Sequence, residues 1–160
     1  MPIDEPANVV PGVSAGYIVN LSTVDGVVDM LLRYCEPSDG VLCEATLMDA
    51  SQVEDVLGLV ASHPTPHGIG AVEIVRDDGS VLGVFQTRCG FVLSWLTPDG
   101  SSKHTYGEIA SDGLVTFDYF GSYSEVPASY VITRSAAVKI ISLFVSTGTP
   151  DVPLVRWESD

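Results

Sequence analysis

Two histidines four residues apart, His63 and His67, have the spacing that on a helix would aim both imidazoles at one zinc ion. The intervening Pro64-Thr65-Pro66 forces extended backbone instead, and no glutamate lies between them to serve as the base of a hydrolytic zinc site. The pair therefore reads as two surface histidines on a loop. Cys35 and Cys43 are separated by seven residues, more than zinc-finger ligand loops span, and no second pair follows, so they read as buried or half-buried thiols. No metal and no cofactor is expected. Gly68-Ile69-Gly70 lacks the third glycine of the dinucleotide fingerprint, and no glycine-rich loop ending in lysine is present to cradle a phosphate. His104 lies in a strand pattern with no acid close in sequence to orient it, and no Gly-x-Ser-x-Gly elbow offers a nucleophile. Any two of the 21 carboxylates could act as acid and base, and nothing singles out a pair. The chain is not expected to be an enzyme.

The carboxylates carry more meaning as a population. Seven Lys and Arg against 21 Asp and Glu leave a net charge of −14, which excludes gripping nucleic acid or anionic lipid by neutralising phosphates. The acids are spread over turns and element faces, with no run longer than two, so they do not form an acidic tail. One reading is a solvated, solubilising surface; the other is steering toward a basic macromolecular partner. If there is a working patch, the outward side of 114–119 and the loop after it gather Asp112, Asp118, Tyr123 and Glu125, joined by Asp99 and Glu108 from neighbouring strand ends. Tyr123 would be the anchor, since carboxylates beside an aromatic suit a binding hot spot.

Elements must hold these residues in place. At 160 residues and 17.0 kDa the chain is expected to form one domain, and a 46% apolar composition with a mean hydropathy of +0.30 is enough for a substantial core. Residues 1–12, with Pro2, Pro6 and Pro11, read as a flexible arm, and residues 13–44 as a strand and helix extension. There Tyr17-Ile18-Val19 is strand-like, Ser22 caps, and Val24, Val27, Val28 and Leu31 repeat at helical spacing, predicting a helix to about Tyr34. A similar unit follows: strand-like Ala45 to Met48, then a helix with Ser51 and Glu54 as capping box and Val53, Val56, Leu57 and Val60 as its apolar stripe.

From Ala71 the period changes to two. Ala71 to Arg76, Val81 to Thr87 and Gly90 to Leu96 predict an antiparallel meander with Phe91, Leu93 and Trp95 on one face. The Thr97-Pro98-Asp99-Gly100 turn leads to a strand at 103–106, and 114–119 continues the sheet with Val115, Phe117 and Tyr119 inward and Thr116 and Asp118 outward. Thr133 caps a helix over 134–146 whose polar residues Ser135, Lys139, Ser142 and Ser146 form one narrow stripe, so the rest of its surface needs cover. Gly148 stops it, and Leu154 to Trp157 closes the sheet as an edge strand. The fold class is α+β: a mainly antiparallel sheet with helices packed on one face. The apolar stretch 136–145 is far short of the roughly 20 residues a bilayer span needs. The start, Met1-Pro2-Ile3-Asp4-Glu5, has neither the basic residues nor the apolar run of a secretory signal. Together with three scattered cysteines, it predicts a cytoplasmic address.

Phe117-Asp118-Tyr119-Phe120-Gly121, Glu125-Val126-Pro127, Ala136-Ala137, Phe144, Thr147-Gly148, Pro150 and Val155-Arg156-Trp157 together resemble the first-named ("Imm-one") family of bacterial polymorphic-toxin immunity proteins. The resemblance covers 45–158 and is concentrated from Phe117 onward. It implies a cytoplasmic antitoxin without catalysis, which binds a cognate toxin domain, a nucleic-acid deaminase above all, and covers its basic active-site or substrate-binding surface. Two other classes stand beside it: an acidic nucleic-acid mimic that inhibits a DNA-binding protein, disfavoured by the lack of acidic blocks, and a small α+β enzyme without a recognisable motif.

Overall fold

The computed structural model describes residues 29–107, 112–151, 153 and 155–160. The arm of 1–12, the Tyr17–Val19 strand and the Ser22 cap lie outside the described residues. Among the described residues, nine strands and two α-helices follow in the order β1 (Met30–Cys35), β2 (Leu42–Thr46), α1 (Ala50–Ser62), β3 (Val72–Arg76), β4 (Val81–Gln86), β5 (Phe91–Leu96), β6 (Ser102–Tyr106), β7 (Leu114–Tyr119), β8 (Ser122–Pro127), α2 (Arg134–Thr147) and β9 (Arg156–Ser159). Seven strands form one antiparallel sheet, ordered β2-β1-β3-β4-β5-β6-β9, and β7 with β8 forms a separate ribbon.

Three expectations are corrected. Residues 30–34 are strand, not the end of a helix: Met30, Leu32 and Tyr34 alternate inward while β1 bonds both β2 and β3. The cap of α1 is Asp49, not Ser51: its carboxylate accepts the Ser51 amide, and Gln52 rather than Glu54 completes the capping box. Finally, 114–119 does not continue the main sheet. A tight turn at Phe120-Gly121 folds β8 back onto β7, so the ribbon pairs with itself.

Both helices lie on one face of the sheet. Val53, Leu57 and Val60 of α1 and Ala137, Ile140, Ile141 and Phe144 of α2 are buried against Leu32, Val72, Ile74, Leu82, Val84, Phe91 and Leu93. Each Val, Leu, Ile or Phe among them contributes about 1.5–3 kcal/mol when fully buried. Thr133 caps α2, and Gly148 ends it in the left-handed region (φ 82°) with its amide donating to the Phe144 carbonyl. The buried Arg76 sits against this end, Nη1 donating to the Phe144 carbonyl at 3.3 Å, where a cation complements the helix dipole. Beyond it, β9 forms the sheet edge beside β6, and Trp157 meets Trp95 edge-on at 6.1 Å.

The opposite face is covered by the ribbon. Val115 and Phe117 of β7 with Ala128 and Val131 bury Ala71, Phe85 and Val92 of the sheet, and the Phe85 and Phe117 rings stack at 4.5 Å. Two short backbone bridges tie the ribbon region down, Gly70 to Asp118 and Phe91 to Ile132. The layers are thus helices, sheet and ribbon. Among the described residues no helix is long and apolar enough to cross a membrane.

Candidate binding surface

The register of the ribbon decides which residues share its outer side. Asp118 pairs with Tyr123, Thr116 with Glu125 and Leu114 with Pro127, so these six point away from the sheet. Tyr123 is 55% exposed and donates its hydroxyl to Glu125 Oε2 at 3.0 Å; that bond to a carboxylate raises the tyrosine's pKa. Leu114, 59% exposed, adds a large apolar side chain at the other end, beside exposed Asp112 in the lead-in to β7. An exposed leucine and tyrosine flanked by acids make an amphipathic strip, the mixture from which protein interfaces are built. Leu114 escapes a reading based on charge, because an exposed leucine is recognisable only once the strand's face is known.

Asp118 has the predicted face but not the predicted exposure: it is buried, with 5% of its surface exposed. The loop after α1 crosses the ribbon there. Ala71 donates its amide to the Asp118 carbonyl at 2.8 Å, Asp118 donates its own to the Ile69 carbonyl at 2.9 Å, and the Thr65 hydroxyl donates to Oδ2. The Gly121 amide donates to Oδ1 at 2.6 Å. His67 reaches over to meet the Tyr123 ring edge-on at 6.1 Å. Between this loop, the β1–β2 turn and the Phe120-Gly121 turn lies a cavity of about 260 Å³, lined among others by Cys35, Pro37, Val60, His63, Asp118 and Phe120. Burial pushes the Cys35 thiol pKa up, and the Asp118 and Cys43 charges push it further.

The other candidates separate. Asp99 lies in the β5–β6 turn and bonds only within it, to Thr97 and Ser101, and Glu108 lies outside the described residues. His104 has the acid that its sequence neighbourhood lacks: Nδ1–H donates to Asp160, which pairs it from 56 residues away, and Glu158 stands 3.9 Å from Nε2. The Ser102 hydroxyl donates to the same Asp160 carboxylate. The serine thus bonds the carboxylate and not the imidazole, so these three residues do not form the serine–imidazole–carboxylate relay of a hydrolase. Cys35 and Cys43 are half-buried free thiols, whereas Cys89 is exposed. No group of three or more His, Cys, Asp or Glu able to hold a metal occurs among the described residues.

Comparison with protein families finds a match to the family described as Immunity protein Imm1, over residues 16–159. The match takes in β1 and β2 as well as the later part of the chain. Searches of the curated proteins and of the solved structures return no match.

Proposed function

Because the chain belongs to the Imm1 family of immunity proteins, we propose that it is a cytoplasmic antitoxin that binds a cognate polymorphic-toxin domain, a nucleic-acid deaminase, and covers its basic substrate-binding surface. The observation that carries the reading is the exposed ribbon strip of Leu114, Tyr123 and Glu125 on a chain of net charge −14. A toxin that grips nucleic acid needs positive charge along the path of the phosphates, and an acidic partner takes the place of that ligand. A deaminase must also admit an extruded base to a pocket, which a rigid aromatic with a flanking carboxylate can obstruct. The chain acts by binding rather than catalysis, a reading supported by its family.

The test is titration of a cognate toxin domain. Tyr123→Ala combined with Glu125→Lys should weaken binding by about 30-fold or more, a hot-spot loss, and release deamination of single-stranded substrate. The control, Glu54→Lys with Asp55→Lys, changes exposed positions of α1 on the far face of the sheet. A greater loss in the control places the interface on the helices and overturns the ribbon assignment. A cognate toxin that cleaves nucleic acid without deaminating it overturns the substrate class alone.

A further inference from the structure

Asp118 is a buried carboxylate without a counter-charge. Among the described residues no Lys, Arg or His pairs with it; the nearest stretch of the sheet spends its cation elsewhere, with Arg33 on Glu44 at 3.0 Å and Glu73 at 3.5 Å. The Thr65 hydroxyl and the Gly121 amide occupy two acceptor sites of a group that offers about four. Removing a carboxylate from water without a cation is costly, and native chains keep such groups where something compensates them.

The wall beside it carries a second anomaly. Phe120 is the one non-glycine residue with positive φ among those described, at 50°, followed by Gly121 at 91°. A two-residue hairpin turn of this kind favours Asn-Gly, and a side chain such as phenylalanine pays about 1–2 kcal/mol to sit there. What the strain achieves is to set a half-buried aromatic ring on the lining of the cavity that also holds Asp118. Val60, Pro37 and Ala71 supply apolar wall.

We propose that this cavity is a receptor for one arginine side chain of the partner, its guanidinium on Asp118 and against the Phe120 ring, its stem along the apolar wall. Arginine rather than lysine fits because a guanidinium is weakly hydrated, stacks on aromatic faces and bonds a carboxylate with two parallel donors, whereas an ammonium gives up its water reluctantly. The source of the arginine rests on the antitoxin reading; the chemistry of the cavity does not.

Two arms keep the two apart. In the first, N-acetyl-arginine methylamide is titrated into the ¹⁵N-labelled chain, with the lysine and norleucine analogues as competitors. Saturable shifts are expected at the Thr65, Asp118, Phe120 and Gly121 amides, with affinity at least about tenfold above either analogue and reduced at least about tenfold in Asp118→Asn. Asp118→Asn keeps the shape: its remaining oxygen can still accept from the Gly121 amide while its NH2 group donates to the Thr65 hydroxyl oxygen. Phe120→Gly, which relieves the strain, should fold and yet bind the probe more weakly. Absent shifts, equal affinity for the lysine or norleucine analogue, or an unaffected Asp118→Asn would overturn the proposal. In the second arm, Asp118→Asn should weaken toxin binding by about 30-fold or more. A toxin that binds the wild type and Asp118→Asn equally overturns the arginine receptor and leaves the antitoxin standing. A toxin that binds neither overturns the antitoxin, and the first arm still decides the cavity.

Discussion

Asp99 shows how far an exposed carboxylate can be held by its own turn. The Thr97 hydroxyl, the Ser101 amide at 2.9 Å and the Ser101 hydroxyl at 2.7 Å all donate to Oδ1, and these bonds pull its pKa from the ordinary 3.8 down to about 2. A folded value below the unfolded one means the turn's contribution is fully present above about pH 3.8 and is lost as pH falls through about 2. A carbon-detected carboxyl titration should place the midpoint near 2, and Thr97→Val with Ser101→Ala should return it toward 3.8. A native midpoint at the ordinary value would show that the bonds are not kept in solution. Local bonds of this kind are legible in Thr-Pro-Asp-Gly-Ser. The partners of Asp118 and His104 are not, because Thr65 is 53 residues from Asp118 and Asp160 is 56 from His104. Alternation assigns Asp118 its side of the strand, but only the fold brings a loop across that side.

Elements were legible where one period stood alone. The β3 to β5 meander runs as short β-branched and aromatic stretches between clear turn signals, with β6 following the Thr97-Pro98-Asp99-Gly100 turn, and α2 carries its cap, its single polar stripe and its terminal glycine in sequence. Around β1 two periods coincide: Val24, Val27, Val28 and Leu31 satisfy a helix, and Met30, Leu32 and Tyr34 satisfy a strand. Pairing with β3, some 40 residues on, decides for the strand across 30–35. At the end of α2, Gly148→Ala should cost about 2 kcal/mol or more in urea unfolding. A Cβ there would meet Arg76 Cζ at 2.7 Å in addition to the strain of φ 82°, and Arg76 is too buried to swing away freely. Unchanged stability would show that the guanidinium is not seated on the helix end. Trp157→Ala should cost about 2–3 kcal/mol, less than the 3–5 typical of a fully buried tryptophan, because the ring is half-buried on edge strand β9 and rests on Trp95. Loss of less than about 0.5 kcal/mol would show that β9 contributes no cover to the core.

For the whole molecule, charge and layering act together. A net charge of −14 should draw a basic partner in from several ångströms beyond contact, so association with the toxin domain should slow by about tenfold or more between low salt and 0.5 M, while dissociation changes less. Salt-independent association would mean that the charge serves solubility alone. The one-face arrangement of helices followed from the narrow polar stripe of α2 and the inward Phe91, Leu93 and Trp95. The ribbon on the other face did not, since Ser122 to Pro127 has no apolar alternation strong enough to announce a strand.

That layering also makes the sheet a partition. The side chains packed under the ribbon and those packed under the helices belong to two separate clusters on opposite faces. Damage on one side is therefore insulated from the other: Leu57→Ala and Val115→Ala should add to within about 0.5 kcal/mol when combined. An insulated ribbon can be rewritten. A library randomised at Leu114, Thr116, Tyr123 and Glu125 should retain folded members at high frequency, which makes this scaffold a surface that selection can retarget to a new partner without rebuilding what holds it up.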